Sequence, residues 1–357
     1  MDLTHSTGLV DRIHPQTKSA LVDAVRRANA DRRRFLVVGG RRHLDKGNHT
    51  EIDAELWTTQ LDGLVAYEPA EMIAVVEAGM RVSELARILA EGGQEWPSDA
   101  PGDATVGGVI ASGASSPRRL KVGALRDTVL EAEFVTGDGR FVRSGARTVK
   151  NVTGYDLHKL VAGSLGTIAV IAQVALKVRP IPERRRTMRF AGDLAAAASI
   201  LNAVPAAAAM IAAAGGVELR LEGWHEEVEE QARSAAGVAD PIEDVEEEPF
   251  PASRPWEDRP VVAEVAVPPS RLADVVVGEA WGALVGVGIA WVGLGGAGVE
   301  LEGLRRRARE AAGIAPVVRG PGGLGDARLP APDVHRRLKA AFDPNGVLAP
   351  GRGWGRI

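Results

Sequence analysis

Between Pro97 and Ser116 the chain reads PSDAPGDATVGGVIASGASS, where Gly102, Gly107, Gly108 and Gly113 sit among small residues and no simple helical period follows. Glycine lets a backbone approach a ligand closely, and successive exposed N–H groups form an anion-binding nest suited to a diphosphate. Thr105, Val106, Gly107 and Gly108 are the phosphate-facing candidates. A second segment, NVTGYDLHKLVAGSLGTIAVI from Asn151 to Ile171, places a turn at Gly154, Asp156 as a cap for a short helix, and GSLGTI directly before a buried strand. A backbone ribbon emerging onto a strand can read a flat ring through its N–H and C=O groups. Each segment alone also fits a plain role, a Gly/Ser-rich connector or a helix C-cap with a hairpin. Two of them in one half of the chain point to a ligand site.

Composition narrows the chemistry. The 357 residues hold no cysteine, which excludes disulfides, thiolate metal sites, protein-held iron–sulfur clusters and cysteine nucleophiles, so redox chemistry would need a bound organic cofactor. Lys and Arg total 43 against 47 Asp and Glu, a net charge of -4 that gives no reason to expect nucleic acid as a partner. Residues 1–10 show no basic n-region with a long apolar stretch, and the expected location is cytoplasmic. Ala280–Val299 carries no charge over a bilayer-crossing length, but seven of its residues are glycine, each costing a helix about 1 kcal/mol against alanine. A helix end followed by a buried strand is expected there, not a membrane span.

Along the chain, helix and strand signals alternate. Leu21, Val22 and Val25 recur at helical spacing and feed a strand Phe35–Val38 that ends in Gly39-Gly40. Strands are expected near 64–67, 72–77, 128–136 and 140–143, with a helix Val82–Glu91 for which Ser83 is the cap candidate. A long β-rich run from Ile168 closes at Pro180 and Pro182, a domain boundary. The spacing predicts an α+β chain with a first domain over 1–182, a smaller α+β cap over 183–330 and a C-terminal tail over 331–357 that returns to the first domain.

These motifs, in this order, resemble the FAD-binding domain of the vanillyl-alcohol-oxidase or PCMH type, built of two α+β subdomains, and within it the branch of the FAD-binding subunit of bacterial glycolate oxidase. The resemblance rests on Gly39-Gly40, YEPAEMIAVVEAGMRVSELARILAEGGQEWPSDAP, TVGGVIASGASSPRRLKVGALRDTVLEAEFVTGDGRFV, KNVTGYDLHKLVAGSLGTIAVI and, in the tail, FDPNGVLAPGR. It implies FAD, held without a covalent bond. Gly39, Gly40, Thr105, Val106, Gly107 and Gly108 would lie at its phosphates, followed by Ala111, Ser112 and Gly113. Gly163, Ser164, Gly166 and Ile168 would lie along the flavin-adenine backbone, and Gly154, Tyr155 and Asp156 at the entry to that segment.

The resemblance further implies oxidation of glycolate or a similar 2-hydroxy acid. Electrons would pass to partners, a larger flavoprotein subunit and an iron–sulfur subunit, through which the chain could be membrane-associated. Two other readings stand beside it: a non-catalytic accessory subunit, and a stand-alone FAD-dependent oxidoreductase for another alcohol or acid. The chain departs from the family pattern at Arg41, Arg42 and His43, where small residues are usual, at Ala169, and at Ala349 in place of Asn. His43 is read as a surface or phosphate-contacting residue ahead of a covalent flavin link. Arg352 is either a partner for a substrate carboxylate or half of a structural ion pair.

Gly293, Gly295 and Gly298 spell GxGxxG between a strand and a helix, but no acidic residue closes the next strand at Arg319, so a plain strand–turn–helix is expected there. The seven histidines show no metal-ligand spacing, and the acidic runs near 226 and 246 read as solvated faces. No catalytic base can be named.

Overall fold

The computed structural model describes residues 10–147, 154–246, 250–321 and 331–356. Lys150 to Thr153 of the KNVTGYDL motif, and Glu247 and Glu248 of the second acidic run, lie outside them. The architecture mixes helix and sheet, as expected of an α+β chain. The described residues divide into two compact units, one formed by 10–116, 124–181 and 331–356, the other by 117–123 and 182–321.

In the first unit, helix Lys18–Asp31 begins where Thr17 accepts from the Ala20 N–H and buries Leu21, Val22 and Val25. It precedes strand Phe35–Val38, which pairs in parallel with Ala54–Trp57; that strand also pairs in parallel with Asp11–Ile13. A second, five-stranded antiparallel sheet runs in the order Leu64–Glu68, Ile73–Glu77, Ala169–Lys177, Val129–Thr136, Phe141–Gly145. Its central strand Ala169–Lys177 is buried along all but its last residue, as the near-continuous apolar run requires. The tail joins this unit: Phe35 N–H donates to Val347 at 2.7 Å and Ala349 N–H returns a bond to Phe35 at 2.8 Å.

The second unit is one eight-stranded antiparallel sheet, in the order 241–246, 184–190, 216–223, 209–213, 281–284, 289–294, 261–266, 317–319. Helices Leu194–Ala203, His225–Ala236 and Val299–Glu310 contribute buried apolar residues to its core. The segment Pro117–Gly123 belongs here because Lys121 donates to the Glu222 carbonyl, while the buried Glu222 carboxylate has Arg185 at 3.6 Å, Arg220 at 3.8 Å and Arg118 at 3.9 Å.

Several local expectations change. Ala280–Val299 is not a helix end and a strand but a hairpin of Trp281–Leu284 and Ile289–Leu294. Its glycines seat an aromatic side chain: a Cβ at Gly282 would collide with the Trp256 ring, which stacks on Trp291 at 5.6 Å. Both neighbours of Ile289–Leu294 are antiparallel, so GxGxxG here opens no parallel βαβ unit. Among the described residues no helix is long and apolar enough to cross a membrane. Arg81, not Ser83, is the residue preceding helix Val82–Glu91.

Candidate functional site

Three chain segments far apart in sequence build one cleft in the first unit. Strand Phe35–Val38 delivers the turn Gly39-Gly40. A side chain at Gly39 would strike the Thr105 hydroxyl, and one at Gly40 would lie 2.5 Å from the Asp103 carbonyl. The glycines are therefore what lets the first loop lie against the 103–105 turn. Beyond them Arg41 adopts φ 60°, a left-handed conformation that non-glycine residues hold only when their surroundings fix it. Its guanidinium meets the buried Glu55 at 2.8 Å and lies over Trp57, while Arg42 pairs with Asp103.

The glycine-rich block is not only a loop. Thr105 takes an extended conformation and accepts from the Gly108 N–H at 3.3 Å, and the seven residues Val106–Ser112 are helical, ending at Gly113 with φ 58°. The periodicity was hidden because Gly107 and Gly108 carry no apolar side chain to show it. Gly107 is needed for packing, since its Cβ would fall 2.7 Å from that of Ala78. The second segment is tied to this helix: Gly163 N–H donates to Ile110 at 2.9 Å and Leu165 N–H to Ala111 at 2.8 Å. Leu165 and Gly166 both have positive φ, 55° and 72°.

The resulting cleft is open to solvent, and its empty space, open solvent included, is about 660 Å³. One part of its lining is polar, from Gly39 to His43 with Thr58, Thr105 and Arg352; another is apolar, with Ala78, Ala104, Ala111, Leu165, Ala169 and Ile171. The N–H groups of Gly39, Gly40, Arg41 and Arg42 have no acceptor among the described residues. Unused backbone donors beside small-residue walls fit a ligand with a diphosphate and a flat ring, and so fit FAD.

Of the residues expected from sequence to bind cofactor, Gly39, Gly40, Thr105, Gly107, Gly108, Ala111, Ser112 and Gly166 line the cleft. Val106, Gly113, Gly163, Ser164 and Ile168 do not line it but flank residues that build it. Gly154, Tyr155 and Asp156 are exposed and outside the lining, Tyr155 at 88% exposure. Asp156 stands at the start of helix Leu157–Val161, yet its side chain makes no capping bond. Leu44, Thr58, Ala78 and Leu165 line the cleft and were missed by sequence reasoning. No glycine pattern marks Leu165, whose positive φ is imposed by its neighbours. The described residues contain no His/Asp/Glu cluster able to hold a metal.

His43 lines the cleft with its Nε2 buried and without a partner. Burial, with Lys46 adding repulsion, pushes its imidazole down to about 4, against a weaker opposing effect of Asp45. In the unfolded chain the ring takes up a proton near its ordinary value of about 6.5, so between there and pH 4 the unfolded state binds more protons. Folding stability of the flavin-free protein is therefore expected to fall as pH drops from about 6.5 to 4, by up to about 3 kcal/mol from this group. Urea unfolding across that range checks it: His43→Gln should flatten the slope, and an unchanged slope would remove His43 as its source.

Residues 12–145 match the family model described as an FAD binding domain. The chain is 28% identical over 300 residues to glycolate oxidase subunit GlcE of Escherichia coli K12, covering 81% of this chain and 84% of that protein. It is 40% identical over 110 residues to a D-lactate dehydrogenase of Archaeoglobus fulgidus, but this covers 30% of the chain and 25% of the relative. Among solved structures, alkyldihydroxyacetonephosphate synthase superposes with a TM-score of 0.67 at 15% identity, over 95% of this chain and 75% of that one, a likeness of fold.

Proposed function

Because the chain carries a PCMH-type FAD-binding domain and belongs with FAD-dependent oxidoreductases, we propose that it is the FAD-binding subunit of a glycolate or related 2-hydroxy-acid dehydrogenase that hands electrons to a partner subunit. The observation that carries this reading is the similarity to a glycolate oxidase subunit over 81% of the chain, with the converging loops of the first unit falling on the motifs of the resemblance.

When bound, FAD supplies a two-electron acceptor: the substrate Cα–H leaves as hydride, the hydroxyl proton goes to a base, and a 2-oxo acid results. In this reading the free N–H groups of Gly39 to Arg42 bind the diphosphate, with Thr105, Gly107 and Gly108 shaping the opposite wall. Ala111, Ala169 and Ile171 give an apolar bed that excludes water. Gly154, Tyr155 and Asp156 are exposed and outside the lining, and no contact is assigned to them in this reading. His43, held neutral, is too weak a base for the hydroxyl proton near neutral pH and is assigned to hydrogen bonding. A cysteine-free chain cannot hold an iron–sulfur cluster by thiolates, so onward transfer is assigned to a partner subunit or an external acceptor. The chain is assigned to the cytoplasm, with any membrane association made through those partners.

The test is anaerobic mixing of the FAD-loaded protein, alone and with co-purified partners, with glycolate and D-lactate. Bleaching of the visible flavin bands by a 2-hydroxy acid is expected. Flavin that no 2-hydroxy acid bleaches, even with partners, would favour an accessory subunit. Bleaching only by another alcohol or acid, without partners, would favour a stand-alone enzyme.

A further inference from the structure

The cleft contains a charge that the described residues leave unmatched. Arg352 is 5% exposed and lines the cleft, and its guanidinium makes one hydrogen bond, from Nη2 to the Leu44 carbonyl at 3.0 Å. It forms no ion pair with a described carboxylate, and Asp45 acts on it only through space. The other two arginines of the lining are matched, Arg41 by Glu55 and Arg42 by Asp103. Of the five N–H donors of a guanidinium, those not spent on Leu44 have no acceptor among the described residues. Burial pushes this group down to about 10, which leaves it fully charged at neutral pH. The backbone around it is fixed, since Asn48 N–H donates to the Arg352 carbonyl at 2.8 Å and Asn48 Nδ2 to Gly353 at 2.9 Å. A buried cation without a counter-ion destabilises the fold that holds it, so a retained one calls for an anion that arrives from outside.

We propose that Arg352, with the unpartnered imidazole of His43 in the same cleft, is a built receptor for an oxyanion of the bound ligand. The chemistry, two or more anionic oxygens facing a planar fork of donors, is shared by the diphosphate of FAD and the carboxylate of a 2-hydroxy acid. The inference rests on the FAD reading for the identity of the cleft, but not for the charge itself. It also replaces the structural ion pair expected for Arg352, because the described residues offer no partner for one.

The experiment uses the full chain, freed of flavin, as wild type, Arg352→Met and Arg352→Lys. Thermal unfolding is followed without ligand, with FAD and with inorganic pyrophosphate, and oxalate is titrated into the FAD-loaded forms while the flavin spectrum is read. Without ligand, Arg352→Met is expected to unfold at or above the wild-type temperature, because an unmatched buried charge has gone. Its affinity for the anion should fall by about 10- to 100-fold, with partial retention in Arg352→Lys. Loss of FAD and pyrophosphate binding would identify the diphosphate as the anion, whereas intact FAD binding with lost oxalate response would identify a carboxylate. An Arg352→Met chain that is destabilised without ligand, yet binds FAD, pyrophosphate and oxalate as wild type does, would overturn the proposal. If wild type takes up no FAD, the flavin reading fails by itself. Pyrophosphate and oxalate added to the flavin-free chain then still decide, since a stabilising shift by either that is lost in Arg352→Met supports the receptor and no shift by either in wild type refutes it.

Discussion

Ala111→Phe is expected to give a folded chain that no longer holds FAD. Ala111 lies on the helix Val106–Ser112, faces the cleft, and is fixed in place through its carbonyl, which accepts from Leu165. Ala111 is half-buried against the apolar core and lines the cleft, so a phenyl ring there takes up cleft space. The helix itself loses only about 0.5 kcal/mol from the poorer propensity of phenylalanine. The ligand, by contrast, must be displaced or distorted, and a loss of about 3 kcal/mol or more in binding, roughly a hundredfold in Kd, is expected. Flavin fluorescence quenching reports the affinity and thermal unfolding of the flavin-free form reports the fold. An unchanged Kd would mean that the cofactor lies elsewhere.

Asp343→Ala is expected to be among the most damaging single changes to the first unit. Its carboxylate is buried and accepts from Val347 N–H at 2.9 Å, Leu348 N–H at 2.8 Å and Lys339 Nζ at 2.6 Å. Lys339 also donates to the carbonyls of Thr167 at 2.6 Å and Leu348 at 2.8 Å, tying the tail to the segment that follows Gly166. Removing the carboxylate leaves two buried backbone N–H groups without an acceptor and the Lys339 ammonium without its counter-charge, which costs about 3–5 kcal/mol. For a unit of this size that is a fall in Tm of about 10 °C. The tail also flanks Phe35–Val38, the strand that aims Gly39-Gly40, so FAD affinity should fall with it. Calorimetry of the flavin-free protein checks the first effect; a loss below about 1 kcal/mol would show that water or a rearranged loop satisfies these groups.

The elements legible in the sequence were those whose own residues carry the signal. Phe35–Val38 ends at a glycine pair, and Ala169–Lys177 is an apolar run closed by prolines; both strands stand where the pattern places them. Helix Val106–Ser112 was not legible, because its glycines are selected by the closeness of Ala78 and Thr105, a tertiary demand that erases the helical period. The same reason hid the hairpin at 281–294, whose glycines make room for Trp256. At the candidate site, glycines and small residues on the two loops were readable since close approach of backbone restricts residue type. Thr58, Ala78 and Leu165 reach the cleft only through packing, and nothing in their local sequence says so. Tyr155, a conspicuous residue beside a telling motif, is exposed and outside the cleft lining.

The measurement that bears most directly on the account is the visible spectrum of the purified full chain, taken as isolated, after addition of FAD, and on the supernatant after acid precipitation. Flavin bands corresponding to one FAD per chain are expected, all of it released into the supernatant, since His43 is assigned to hydrogen bonding and not to a covalent link. Protein that is folded by far-ultraviolet circular dichroism, yet shows no flavin bands and takes up no added FAD, would contradict it.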